Sequence, residues 1–319
     1  MSATQRPWIW AWIGTVSIWL VIAALSGLAP GMEVLSAAAS FGTFFVLVAI
    51  GQMFVITLGP GNVDLSIPAC MTLASTVAMK VMAGSEAMLV PGFLIVIAIG
   101  LVIGTVNFAL ILLLRIPPII ATLSSSFLFQ STAIWYNRGL RVKPPEALAD
   151  FATAKFFGVP ILAIAVLVLT IIMHVVLHRT YFGRSVLAVG QNSQAAGLAG
   201  VPVQRTRFLT YLLSAVLAAV CGFFLAGFSG GAALNMGAEY LLMSIAVVVI
   251  GGTSVAGGSA GPVGRGAVHV SAGHHAQHAG SQRWLPADPH RSYHRRRDRH
   301  FRQEAIILPG CRFLRGNGL

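Results

Sequence analysis

Eight apolar stretches divide the chain, and short breaks rich in glycine, proline and charge separate them. The stretches are Trp8–Ala29, Val34–Leu58, Leu65–Ala83, Met88–Leu114, Ile119–Tyr136, Val159–Leu177, Phe208–Phe228 and Tyr240 to about Gly252. Most reach or exceed the roughly 18 residues that mark a membrane-crossing helix. Backbone in lipid must satisfy its own hydrogen bonds, so such runs fold as helices. The pattern predicts an all-α fold, a polytopic transmembrane helix bundle of about eight spans. The first run is too long for the core of a signal peptide and lacks a convincing cleavage site, so it reads as a span.

Composition agrees. Charged residues are 9% of the chain and hydrophobic ones 56%, whereas a soluble domain carries about 25% charged residues. The net charge of +12 is unevenly spread. Residues 1–264 hold 11 Lys/Arg against 6 Asp/Glu, whereas residues 265–319 hold 10 Arg, 3 acids and seven of the nine histidines. The chain therefore reads as a transmembrane domain over 1–264 and a basic His/Arg-rich tail over 265–319. Arg6, Arg115 and the group Arg179, Arg184, Arg205 and Arg207 share one side of the membrane, so the N-terminus is expected inside. The break Asn137–Phe157 carries both signs of charge and is the exception. Trp8, Trp10 and Trp12 would form an interfacial belt. Cys70, Cys221 and Cys311 are scattered, and no metal or redox spacing is present. Neither a metal site nor a cofactor is expected.

The chemistry lies in the breaks. Gly59-Pro60-Gly61-Asn62-Val63-Asp64-Leu65-Ser66 cannot continue a helix comfortably. Asp64 is placed to cap the helix Leu65–Ala83. An acid at membrane depth must cap, pair or face water, so Asp64 is either a structural cap or a substrate contact. Gly100, Gly104 and Asn107 share a close-packing face. The stretch Ile119–Tyr136 carries Thr122, Ser124, Ser125, Ser126, Gln130, Ser131 and Thr132, a polar stripe that either bonds neighbouring helices or lines a hydrophilic path. Thr180–Val203 is the one long, moderately polar break between strongly apolar runs. Its centre, Asn192–Leu198, predicts a short helix capped by Ser193 and stopped by Gly200 and Pro202. Gly251–Gly258 resembles a phosphate cradle only superficially, because the Lys and spacing of a nucleotide loop are missing.

These stretches together resemble the ribose-type permease subunit of bacterial ATP-binding-cassette sugar importers. The resemblance rests on Val63-Asp64-Leu65-Ser66 and on Arg115-Ile116-Pro117-Pro118-Ile119-Ile120-Ala121-Thr122-Leu123. It rests further on Thr180-Tyr181-Phe182-Gly183-Arg184 through Ala188-Val189-Gly190-Gln191-Asn192, with Ala195-Ala196 and Gly200-Val201. Ile250-Gly251-Gly252-Thr253-Ser254 with Gly257-Gly258 completes it. Branched-chain amino-acid permeases share the architecture. The resemblance implies a multi-pass protein of the bacterial inner membrane that is a transporter subunit and not itself an enzyme. The implied partners are a separate ATPase, a periplasmic sugar-binding protein, a second permease subunit (the same chain or a sister) and membrane lipid, with no nucleic acid. A monosaccharide or other small polyol would pass along Asn62, Asp64, Ser66, Asn107, Thr122, Ser125 and Gln130. The ATPase would couple at Gly190, Gln191, Asn192, Ala195, Ala196 and Gly200. The alternatives are a permease for another small polar solute, such as a branched-chain amino acid, and a non-functional truncated permease. An autonomous secondary transporter would need coupling-ion acids in its spans, and Asp64 alone qualifies. A nucleic-acid binder using the tail would need a fold motif that the tail lacks.

The tail itself calls for an explanation. Its histidines match no recognised metal-site spacing, and a polybasic segment on an anionic leaflet is the plain reading. The genetic code offers another. One base forward, His codons become Ile, Met or Thr, and C-G Arg codons become Val, Ala or Gly. Residues 268–280 and 292–303 then read as apolar spans. The tail is thus predicted to be out of frame and disordered, leaving the bundle without its closing helices.

Overall fold

A computed structural model describes residues 7–137 and 142–258, and at 7–12, 26 and 28–30 it describes the backbone path only. The expectations for Arg6, the Trp8–Trp12 belt, Arg138, Arg141 and the tail 265–319 lie outside the described residues or side chains. Chain order runs α1 (Pro7–Ser26), α2 (Leu28–Thr57), α3 (Ile67–Met82), α4 (Leu89–Leu113), α5 (Pro118–Tyr136) and α6 (Glu146–Thr153). The strands β1 (Lys155–Phe156) and β2 (Val159–Pro160) follow, then α7 (Ile161–Arg179), α8 (Tyr181–Gln191), α9 (Ser193–Leu198), α10 (Val203–Phe228) and α11 (Ala238–Ile250). The fold is an all-α membrane helix bundle; β1 and β2 form only a two-residue antiparallel ladder.

Each apolar run of the sequence carries one helix. Among the described residues, stretches of α2, α4, α7 and α10 are long and apolar enough to cross a membrane alone, with hydropathies of 2.1, 2.7, 2.7 and 2.2. The apolar helices Ile13–Leu25, α3 and α11 are shorter, and α5 is diluted by its hydroxyls and Gln130.

α10 is the central helix. It packs on α2, α3 and α4, and 61% of its apolar window is buried, against 17% for α7. On α7, Leu167, Val168, Ile171, Ile172 and Val175 remain exposed, which suits a helix facing lipid. The α4–α10 contact is backbone to backbone. A Cβ on Gly100 would stand 2.7 Å from the Cα of Val216, and one on Gly104 would stand 2.7 Å from the Cα of Leu212. Small residues permit this approach, and close packing is what holds helices together where lipid is as apolar as leucine.

Several boundaries differ from the sequence reading; α2 already begins at Leu28 and α10 at Val203. The break Asn137–Phe157 contains α6, an amphipathic helix that buries Leu148 and Ala152, whose eight residues are too few for a hydropathy run. The break Thr180–Val203 contains two helices. Thr180 Oγ1 accepts from Gly183 N and starts α8. Asn192, not Ser193, caps α9: its side-chain oxygen accepts from Gln194 N and Ala195 N, each at 3.0 Å. Asn192 holds the extended conformation that a cap requires, which leaves Ser193 as the first helical residue.

Candidate functional site

Residues 59–66 link α2 to α3 without regular structure. Their depth follows from α10: Asp64 meets Ser214, which lies 11 residues beyond the first residue of α10, about 16 Å along the axis at the helical rise. The stretch therefore runs back into the bundle. Irregular backbone at that depth needs partners from protein, and neighbouring helices supply them. Gln52 Oε1 of α2 accepts from Asp64 N at 3.3 Å. Thr122 Oγ1 of α5 accepts from Leu65 N at 3.1 Å and lies 3.2 Å from the Val63 carbonyl. Asp64 Oδ1 accepts from Ser66 N at 3.0 Å.

Asp64 is the hub of a longer chain. Ser66 Oγ donates to Asp64 Oδ1 at 2.6 Å and accepts from Asn107 Nδ2 at 2.7 Å. Asn107 Oδ1 accepts in turn from Ser125 Oγ. From the other side Ser214 Oγ donates to Asp64 Oδ2 at 2.8 Å. Asp64, Ser66, Asn107, Thr122 and Ser125 all have 0% exposure. A carboxyl group buried this deeply requires hydrogen-bond partners, and here three donors provide them. Asp64 is not the N-cap of α3 that the sequence suggested. Ser66 holds that position, and Asp64 forms a turn two residues earlier by accepting from the Ser66 amide.

The predicted path residues thus fall into three groups. Five of them, Asp64, Ser66, Asn107, Thr122 and Ser125, converge in one buried network. Asn62 sits at its edge, accepting from Tyr211 OH at 3.2 Å and donating through Nδ2 to the Gly59 carbonyl. Gln130 lies apart: its Nε2 donates to the Leu234 carbonyl at 2.7 Å, eight residues along α5 from Thr122, or about 12 Å. On the other face of α5, Ser124, Ser131 and Thr132 are exposed beside Phe127, Leu128 and Trp135. Among the described residues, no three His, Cys, Asp or Glu side chains gather at a metal-binding distance.

The second candidate surface is α9. Its residues Gln194, Ala195, Gly197 and Leu198 are exposed, and Leu198 reaches 92%. Of the residues assigned to coupling, Gln191, Asn192, Ala195 and Gly200 are exposed, whereas Gly190 and Ala196 are buried. Ala196 joins α9 to the apolar core of the bundle, and Gly190 lies against Thr57 and Gly258.

Sequence reasoning missed Gln52, Tyr211 and Ser214. Each is a polar side chain in a strongly apolar helix, and that isolation was the available signal. Their partner lies 12 residues away for Gln52 and 150 for Ser214, so the sequence could not name it.

The family model for the permease component of branched-chain amino acid transport systems matches residues 34–271. The autoinducer 2 import system permease protein LsrD of Photorhabdus laumondii subsp. laumondii is 31% identical over 212 residues, 64% of this chain and 63% of the relative. The protein of the same name from Salmonella paratyphi B is 30% identical over 178 residues, 54% of each chain. The chain spans 63% or less of the length of these relatives. No solved structure matches it. Because the family model begins in α2 and ends beyond α11, the chain belongs to the family described as the permease component of the branched-chain amino acid transport system.

Proposed function

We propose that the chain is the transmembrane permease subunit of an ATP-binding-cassette importer in the bacterial inner membrane. Its N-terminus is cytoplasmic, and it carries a small sugar-like polar solute inward. The observation that carries this reading is α9, a short helix with an almost fully exposed Leu198 in a polar break flanked by Arg179, Arg184, Arg205 and Arg207. The positive-inside rule assigns that end to the cytoplasm, where an ATPase can dock. The ATPase performs the chemistry, and its closure moves α9 and shifts the bundle between inward- and outward-open states. A periplasmic binding protein delivers the solute, and a second permease subunit completes the path. The Asp64 network holds the walls of that path, and the exposed hydroxyls of α5 belong to its lining.

A sugar-like solute is favoured by the relatives' names, which specify autoinducer 2 import. The second reading, a branched-chain amino acid, is favoured by the family description. Uptake of labelled ribose or autoinducer 2, with leucine as competitor, separates the two. The docking reading is tested by co-purification. The full-length chain recovers an ATPase from its own membranes, and Leu198→Asp lowers that recovery tenfold or more at equal permease yield. Equal recovery with both chains rejects α9 as the docking surface.

A further inference from the structure

Glycines recur at three places between the buried network and the docking surface: Gly59, Gly190 and Gly257-Gly258. The fold brings all three together. α2 ends at Thr57, and its last turn leaves carbonyls without intrahelical partners. The Thr57 carbonyl accepts from Gly258 N at 3.0 Å, so the segment after α11 caps α2. α8 lies flush against this bond. A Cβ on Gly190 would stand 1.8 Å from the Thr57 oxygen and 2.6 Å from Gly258 N. Gly257, at φ +82°, is equally confined, since a Cβ there would stand 2.2 Å from the Cα of Gly59. Gly258, at φ +70°, lies against Gln191, whose Nε2 is 3.4 Å from the Gly258 carbonyl.

Two directions lead out of this junction. Gln191 is followed at once by Asn192, the cap of α9. On the other side, the Gly59 carbonyl accepts from Asn62 N and Asn62 Nδ2 at 3.2 and 3.1 Å, and Asp64 lies two residues further on. Backbone in contact with backbone has no side chain to bend and absorb a displacement, so the fit of the three segments leaves little room for one to shift alone.

We propose that Gly190, Gly257 and Gly258 are positioning residues of a three-segment junction that ties α9 to the extended stretch 59–66, so that displacement of α9 displaces the stretch. The transport role of this junction rests on the docking reading above.

The full-length chain, with Cys311→Ser and Val63→Cys, is labelled in membranes with N-ethylmaleimide; Cys70 and Cys221 are buried. Val63 is half-buried in the stretch. Gly257→Ala forces a side chain into Gly59, so its labelling rate rises fivefold or more. Gln191→Ala removes only a weak hydrogen bond and raises the rate by less, and it covers the case in which Gly257→Ala fails to insert. Gly42→Ala, where a Cβ meets nothing within 4 Å, leaves the rate unchanged. With the ATPase bound, Gly257→Ala and Gln191→Ala lower uptake, tenfold for the first, while nucleotide hydrolysis stays within twofold. A merely structural role would lower both in proportion to the permease present, and that parallel loss overturns the coupling. Unchanged labelling in both variants, with the ATPase bound, overturns the junction alone. Failure of the parent chain to recover any ATPase defeats the docking reading, and the coupling role with it.

Discussion

Asp64 is held by three hydrogen bonds to its carboxylate at 0% exposure, and its own amide is held by Gln52. A buried donor left without its acceptor costs about 1–3 kcal/mol. Asp64→Ala strands the Ser66 amide and the Ser66 and Ser214 hydroxyls together, so membrane yield and thermal midpoint in detergent both drop sharply. Asp64→Asn keeps one carbonyl oxygen for Ser66, and the Ser214 hydroxyl can turn to accept from the new amide, so its loss is smaller. Equal midpoints for the two variants would contradict the hydrogen-bond account of this residue. The sequence singled out Asp64 because an acid at membrane depth demands an explanation. It could not say that Gln52 and Ser214 supply the answer.

At the scale of elements, α4 and α10 depend on two glycines. Gly104→Val places a branched side chain where even a Cβ would lie 2.7 Å from the Leu212 backbone, and overpacking of this kind costs about 1–3 kcal/mol or more. Gly104→Val is therefore expected to melt well below the parent, while Gly42→Ala, which meets open space, melts with it. A comparable midpoint for Gly104→Val would show that α4 and α10 separate freely. α9 is a second case. It has six residues, too few for an isolated helix to persist, so its cap matters. Asn192→Ala removes the acceptor of two amides and costs about 1 kcal/mol of local stability. Amide exchange in Ser193–Leu198 then accelerates severalfold with no change in α10. Uniform exchange in both chains would mean that the bundle, not the cap, holds α9.

Across the whole molecule, the abrupt change from apolar to basic composition near residue 264 leads us to infer that residues 265–319 are translated out of frame. The gene's nucleotide sequence then shows a long apolar open frame one base forward of Gly264–Gly266. Restoring it raises the yield of inserted protein severalfold and, under the importer reading, raises uptake with it. Codons that give no apolar frame defeat the inference and leave the basic tail needing its own role.

The sequence by itself determined the apolar helices, their order and their membrane character. These follow from local properties: run length, hydropathy and the punctuation of proline and glycine. It also located the polar breaks at 59–66 and 180–203 and the short helix within the second. What it could not determine was which faces meet. A helix that is apolar all round shows no stripe to mark its buried side, so the central place of α10 was invisible, as was the meeting of Asp64 with Ser214, 150 residues away. The same limit hid Gly190. Its place beside the docking helix was legible, but its burial against Thr57 and Gly258 exists only once α2, α8 and the segment after α11 have packed. Hydropathy is a property of one residue and its neighbours in the chain, whereas a hydrogen-bond partner or a backbone contact is a property of the packed bundle.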